Sequence, residues 1–320
     1  MIRFVLTVLA GLLIAGAFWL FEGDLPADVV DARYTNEASA FLTTPDGARI
    51  HYRDQGARGG LPVVLVHGSN SSLHTWEGWV DELGDRYRIV TLDLPGHGLT
   101  GQVPSGDYSP DAMVHTVDAV ASHVGLDDFV LGGNSMGGGV TWRYTLAHPK
   151  RVRAMVLVDS SPPPGFSREA PPDSEGDTPL GFTLLRSDAF RAVARYLDPG
   201  YLVAQGLRAA HYDDSGVDDA LIARYRDLTL RAGSREAIMA RFGAPRVETP
   251  AVDLSTLAQP TLILWGRHDT LIGVDVAEQF HAALPDSTLI VYEDLGHVPM
   301  EESPRRTAQD VRAFLEDLEL

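Results

Sequence analysis

The chain has 320 residues, of which 44% are hydrophobic and 22% are charged, so it can bury a sizeable core. Twenty-six basic and 44 acidic residues give a formal net charge of −18, which repels nucleic acid phosphates. Cysteine is absent, which excludes disulfides, thiolate metal sites and a cysteine nucleophile. These numbers predict a globular protein that does not bind nucleic acid.

The first 23 residues predict a membrane anchor. Between Phe4 and Phe21 the one polar side chain is that of Thr7. A helix of this length reaches roughly 27 Å, which is enough to cross the hydrocarbon core of a bilayer. Arg3 precedes the apolar run and acidic residues follow it. Because positive charge stays in the cytoplasm, the rest of the chain is expected on the periplasmic or extracellular side.

A cleaved signal peptide is the alternative for this segment, because residues 15–17 have the small-x-small pattern of a cleavage site. Cleavage would make the protein a secreted one. A helix buried in the core is the third interpretation. The aromatic residues at 18–21 continue the apolar run and are of the type found at membrane interfaces. We therefore expect an uncleaved anchor, followed by a polar tether over residues 24–37.

Beyond the tether, strands alternate with helices. Two short extended segments joined by Pro45-Asp46-Gly47 predict an antiparallel hairpin. Continuous apolar runs follow, and they predict parallel strands covered by helices on both faces. These runs lie at residues 62–66, 88–92, 129–131, 154–158, 261–265 and 288–292. The expected fold is α/β, a doubly wound and mostly parallel sheet opened by a hairpin.

One long interruption divides the alternating pattern. After Asp159 comes a proline-rich, acidic loop, and helical patterns without a strand continue to about residue 250. Such an insertion between two strands predicts a helical cap over the carboxyl edge of the sheet. The predicted organisation is a core over residues 38–159 and 251–320, interrupted by a cap over residues 160–250.

The sequence Gly133-Asn134-Ser135-Met136-Gly137 follows a predicted strand and opens a predicted helix. In this context the G-x-S-x-G pattern is typical of a nucleophile elbow, a sharp turn that exposes the serine hydroxyl above the sheet. The turn brings the positions two residues before and after the serine close together, and glycine leaves the room that this needs. The pattern predicts Ser135 as a nucleophile.

A second loop, His67-Gly68-Ser69-Asn70, follows the predicted strand at residues 62–66. Its place at the carboxyl end of a parallel strand allows the backbone N–H of Ser69 to act with that of Met136 as an oxyanion hole. The alternative is a plain strand-to-helix turn with a hydrogen-bonded histidine. We favour the oxyanion hole because the loop and the elbow meet at the same sheet edge.

Eleven histidines compete for the role of general base, and position favours His297. It follows the last apolar strand, which places it over the same sheet edge as Ser135. Asp269 follows the penultimate strand and is the predicted acid that orients His297. Asp159 also ends a strand at this edge and is the alternative acid.

Together these motifs resemble the α/β-hydrolase fold enzymes that carry a cap. The resemblance runs from about Phe41 to the C-terminus. It rests on Val66-His67-Gly68, Asp93-Leu94-Pro95-Gly96-His97-Gly98, Gly133-Asn134-Ser135-Met136-Gly137-Gly138, Gly266-Arg267-His268-Asp269 and Gly296-His297. It implies a triad of Ser135, Asp269 and His297, oxyanion donors at Ser69 and Met136, and neither a cofactor nor a metal.

The motifs resemble two different subfamilies of this fold. The elbow is similar to that of carbon–carbon bond hydrolases of aromatic ring-fission products, which have a tryptophan after the catalytic histidine. Here Val298 follows His297, as in bacterial esterases and lipases. A serine at position 135 argues against haloalkane dehalogenases and epoxide hydrolases, which need a carboxylate nucleophile. We expect a small-molecule carboxylic ester as substrate. The alternatives are a carbon–carbon bond hydrolase and a catalytically silent binding protein of the same fold.

Overall fold

The structure is a computed structural model, and it describes residues 20–166, 180–244 and 251–318. The predicted anchor at residues 1–23 lies outside these ranges except for its last four residues. Within the described ranges, no helix is both long enough and apolar enough to cross a membrane.

The described residues contain eight strands. They are β1 (Ser39–Thr43), β2 (Arg49–Gly56), β3 (Pro62–Val66), β4 (Arg88–Leu92), β5 (Phe129–Asn134), β6 (Val152–Val158), β7 (Thr261–Gly266) and β8 (Ser287–Tyr292). They form one sheet in the order β1-β2-β4-β3-β5-β6-β7-β8. β2 pairs antiparallel with β1 and β4, and the other neighbours pair parallel. The predicted α/β sheet opened by a hairpin is confirmed.

Helices cover the sheet and build the insertion. They are α1 (Ala27–Tyr34), α2 (Glu77–Leu83), α3 (Pro110–His123), α4 (Met136–Ala147), α5 (Leu180–Leu185), α6 (Asp188–Ala194), α7 (Gly200–Ala210), α8 (Asp219–Leu230), α9 (Ser234–Gly243), α10 (Asp275–Ala283), α11 (Pro299–Glu302) and α12 (Pro304–Asp317). The five helices α5 to α9 lie between β6 and β7, where the sequence predicts a cap. α3 begins as its sequence signals indicate, since the Ser109 side chain accepts a hydrogen bond from the N–H of Ala112.

Two hydrophobic cores lie on opposite faces of the sheet. α3, α4 and α10 cover one core, and α2 and α12 cover the other. In β3, Val64 and Val66 belong to the first core, whereas Val63 and Leu65 belong to the second. Because both faces are buried, every position of such a strand is apolar. This arrangement holds the carboxyl ends of β3, β5, β6 and β7 at one edge.

Residues 24–37, predicted as a polar tether, lie against the cap. The N–H of Leu25 donates to the carbonyl of Leu230 at 2.8 Å. The guanidinium of Arg235, which is 4% exposed, donates through Nε to Oδ1 of Asp24 at 2.8 Å. The segment is therefore anchored to the cap by backbone hydrogen bonds and ion pairs, which its polar composition alone does not reveal.

Candidate active site

Ser135 lies at the turn between β5 and α4, with φ +52° and ψ −117°. A positive φ is uncommon for residues other than glycine and is typical of sites held by their surroundings. A Cβ added to Gly133 would lie 2.3 Å from the carbonyl of Gly137, and one added to Gly137 would lie 2.1 Å from the carbonyl oxygen of Val66. Both positions therefore need glycine, and the strand, turn and helix that the motif requires are present.

The loop after β3 passes beside this turn. A Cβ added to Gly68 would lie 3.2 Å from Cβ of Ser135 and 2.7 Å from Oδ1 of Asn134. The next residue, Ser69, is half-buried, as is Met136 on the other side of Ser135. The two predicted oxyanion residues thus flank Ser135 at the same edge of the sheet.

The motif around Asp93 holds this loop in place. The Asp93 carboxylate accepts hydrogen bonds from the N–H of Leu73 and of Leu99, both at 2.8 Å, and lies 2.7 Å from Nδ1 of His51. Burial favours the neutral acid, but the hydrogen bond and charge of His51 hold the pKa of Asp93 well below its usual range. Asp93 therefore connects the loop after β3 to β2 through hydrogen bonds, and its role is structural.

His297 and Asp269 form a buried pair. Nδ1 of His297 lies 2.7 Å from Oδ2 of Asp269, and the residues are 5% and 2% exposed. The other oxygen of Asp269 accepts the N–H of Leu271 at 2.7 Å and of Ile272 at 3.0 Å. Because a carboxylate oxygen can only accept, Nδ1 carries the proton that faces Asp269, and Nε2 is left as the basic nitrogen.

Asn134 connects this pair to the turn, a role that the sequence analysis did not assign. Its Nδ2 donates to the carbonyl of His297 at 3.0 Å and to that of Val158 at 3.2 Å. The residue that precedes Ser135 therefore holds the histidine loop beside the turn. The described contacts join His297 to Asp269 and to Asn134.

Asp159, the alternative acid, lies beside the pair rather than in it. It has φ +43°, it is fully buried, and its Oδ1 accepts the N–H of Gly266 at 3.0 Å. Its Oδ2 is buried as well. A carboxylate oxygen of Asp159, a carboxylate oxygen of Asp269 and a ring nitrogen of His297 lie within 4.8 Å of one another. Burial, and then the charge of Asp269, raise the pKa of Asp159 well above its usual range.

A neutral Asp159 completes the hydrogen bonding of this cluster. Protonated at Oδ2, its carboxyl can donate to the Asp269 carboxylate, which explains why two buried acids can be neighbours. A cation fits poorly here, since Nδ1 of His297 and Oδ2 of Asp269 already bind each other. The side chains of Asp159, Asp269 and His297 are therefore better suited to proton transfer than to metal binding.

We expect Asp159→Asn to raise the melting temperature at pH 8 by roughly 3 °C or more, with the gain vanishing toward pH 4. Asparagine keeps an oxygen for Gly266 and an N–H for Asp269, and it needs no proton. In the wild type, folding above the ordinary pKa of 3.8 requires the uptake of a proton at Asp159, so stability falls as the pH rises. Thermal unfolding of both proteins from pH 4 to pH 8 measures this, and a variant that is less stable at every pH contradicts it.

A polar cavity of about 620 Å³ lies apart from these residues. It is bounded by α2, α8 and α11, and neither Ser135, Asp269 nor His297 lines it. Several of its lining side chains are acidic, namely Asp213, Asp218, Asp294, Glu301 and Glu302. Such a lining does not suit an apolar acyl chain.

The fold and the turn at Ser135 indicate the family to which the chain belongs, and comparison with known proteins identifies it. Residues 62–304 match the model of the α/β-hydrolase fold family. This range is more than half of the chain. The chain therefore belongs to the α/β-hydrolase fold family.

Three relatives show the range of proteins to which the chain is similar. It is 29% identical to Lipase 1 of Psychrobacter immobilis, over 87% of this chain and 84% of that protein. It is 28% identical to 2-hydroxymuconate semialdehyde hydrolase of Pseudomonas sp. (strain CF600), over 84% of this chain and 91% of that protein. Among solved structures, a membrane phospholipase A described as a bacterial virulence factor has a TM-score of 0.70 and 26% identity, covering 100% of this chain and 99% of that one.

Proposed function

We propose that this hydrolase cleaves carboxylic esters through an acyl-enzyme intermediate on Ser135. The observation that carries the proposal is the buried His297–Asp269 hydrogen bond of 2.7 Å beside a serine at a glycine-flanked turn. This is the arrangement of nucleophile, base and orienting acid that recurs in serine hydrolases.

In the proposed mechanism, Oγ of Ser135 attacks the ester carbonyl while Nε2 of His297 takes the hydroxyl proton. Asp269 keeps the other ring nitrogen protonated and stabilises the imidazolium that forms. The N–H groups of Ser69 and Met136 bind the oxyanion of the tetrahedral intermediate. His297 then gives its proton to the leaving alcohol, and water activated by the same nitrogen releases the acid and frees Ser135.

Ester cleavage has more support than carbon–carbon cleavage. Val298 follows His297, where the carbon–carbon bond hydrolases typically have a tryptophan. A lipase and a phospholipase A are among the relatives. Carbon–carbon bond cleavage is the second candidate function. It is supported by the Gly133–Gly138 sequence and by the similarity to 2-hydroxymuconate semialdehyde hydrolase.

We also propose that residues 1–23 hold the enzyme at a membrane, with the catalytic domain exported. The support is the apolar run from Phe4 to Phe21, with a basic residue before it and acidic residues after it. Similarity over the whole chain to a membrane phospholipase A agrees with this proposal. Full-length chain in the membrane fraction of expressing cells is the expected result, and a chain that starts near residue 18 in the medium contradicts it.

A panel of substrates tests the activity. The purified protein is assayed with 4-nitrophenyl esters from acetate to palmitate and with a ring-fission dienone. We expect kcat/KM for the best ester to exceed that for the dienone by at least a hundredfold. A dienone that is the better substrate would make the protein a carbon–carbon bond hydrolase. Turnover of neither class by folded protein would support a silent binding protein.

A further inference from the structure

Arg241 lies on α9 of the cap, and its guanidinium contacts both proposed oxyanion residues. Its Nη2 donates to Oγ of Ser69 at 2.6 Å and to Oδ1 of Asn70 at 3.0 Å. Its Nη1 lies 3.0 Å from Sδ of Met136. Because Ser69 and Met136 flank Ser135, the guanidinium lies next to the position of a scissile carbonyl in the proposed mechanism.

No acidic side chain pairs with Arg241 within residues 20–166, 180–244 and 251–318, and its contacts are neutral acceptors. Nearby arginines of the cap differ. Four of them form ion pairs with carboxylates, namely Arg224, Arg226, Arg231 and Arg235. In a chain with 44 acidic and 26 basic residues, partners for a guanidinium are plentiful. Among these cap arginines of the described ranges, Arg241 thus differs in that its contacts are neutral.

A buried charge that pairs with no carboxylate of the described residues is costly, and this cost favours a function for Arg241. Burial lowers the pKa of Arg241 to about 10, which still leaves it charged at neutral pH. After burial itself, the charge of Arg241 helps to lower the pKa of His97, and it contributes to the lowered pKa of His67. Arg241 thus places a positive charge next to Ser135 in a chain of net charge −18.

We propose that Arg241 binds a monoanionic group of the substrate and so selects esters that carry a carboxylate or a phosphodiester near the scissile bond. The three contacts use three of the five N–H groups of the guanidinium, and its remaining donors suit an oxyanion. One monoanion balances the single charge of Arg241, because His67 and His97 are neutral. The proposal rests on the ester hydrolase function above and names its substrate class.

A purely structural role is the alternative, in which Arg241 only holds the Ser69–Asn70 loop in place. Matched substrates separate the two roles, since a misplaced oxyanion loop slows every ester equally. On the acyl side, 4-nitrophenyl hexanoate is compared with 4-nitrophenyl hydrogen adipate, which has the same chain length and a carboxylate. On the alcohol side, dihexanoylglycerol is compared with dihexanoyl phosphatidylglycerol, which adds a phosphodiester.

The variants are Arg241→Gln, Arg241→Lys and, as a control, Arg195→Gln. Arg195 is an exposed cap arginine that pairs with Glu236. We expect the wild type to prefer at least one anionic ester over its neutral match. Arg241→Gln should lower kcat/KM for that ester at least tenfold more than for its neutral match, with a smaller difference for Arg241→Lys and none for Arg195→Gln. Equal losses on both members of a pair, or no loss on either, would overturn the proposal.

A binding measurement keeps this test independent of turnover. Calorimetric titration of adipate and of glycerophosphoglycerol into wild type and Arg241→Gln compares their affinities for the anions alone. We expect at least one anion to bind at least tenfold more weakly to the variant. If no ester is hydrolysed but this difference is found, the proposed reaction is wrong and the anion site stands. Equal affinities in the two proteins overturn the anion site even if esters are hydrolysed.

Discussion

Ser135→Ala is expected to lower kcat for the best ester by about 10⁶, the scale seen when the nucleophile of a serine hydrolase is removed. Alanine loses the Oγ that forms the acyl-enzyme, and no described group replaces it. The turn should persist, because glycines at 133 and 137 provide its room and alanine bears the φ of +52° about as well as serine does. Steady-state kinetics with circular dichroism and melting temperature measure both parts.

Ser161→Ala is the matched control for this variant. Ser161 is a neighbour, and its backbone N–H donates to the carbonyl of Ser135 at 2.9 Å, a contact that does not need the side chain. We expect Ser161→Ala to keep kcat within threefold of wild type. If folded Ser135→Ala keeps more than a tenth of the wild-type rate, Ser135 is not the nucleophile.

The second large effect is expected at Asp269, where Asp269→Asn should lower kcat by at least a hundredfold and by as much as about 10⁴. The amide keeps the shape of the side chain, but it lets the ring adopt the tautomer in which Nε2 holds the proton and cannot accept one. It also removes the charge that stabilises the imidazolium. The melting temperature should change little compared with this loss.

Asp159→Asn is the comparison for Asp269→Asn, since both residues are buried acids at the same sheet edge. Because Asp269, and not Asp159, makes the hydrogen bond to Nδ1 of His297, we expect replacement of Asp159 to change kcat less than tenfold. Both variants are assayed on the same ester after their folding has been checked. A larger loss at Asp159 than at Asp269 would transfer the role of the orienting acid to Asp159.

The sheet was predictable from the sequence because its strands are buried on both faces. β3 places Val64 and Val66 in one core and Val63 and Leu65 in the other, which is why its pattern is continuous. The turn at Ser135 was predictable for a local reason, since its glycines lie in one pentapeptide. The strand ends before Asp269 and His297 then placed these residues at the same edge.

Features that depend on distant residues were not predictable in this way. The raised pKa of Asp159 depends on burial that no local pattern reveals and on the charge of Asp269, which lies 110 residues further along the chain. The contact of Arg241 with Ser69 joins residues 172 positions apart. Periodicity and motif spacing report which face of an element is buried, but they do not report which charges meet across the cap and the core.

A covalent adduct on Ser135 tests the central claim most directly. The protein is treated with one equivalent of an alkyl fluorophosphonate, which phosphonylates activated serines, and the intact mass and the proteolytic peptides are then measured. We expect one adduct per chain, located on the peptide that contains Ser135, with activity lost in proportion to labelling. No adduct is expected on Ser135→Ala. Loss of activity with the adduct on another residue, or full activity after Ser135 is completely labelled, would contradict the central claim.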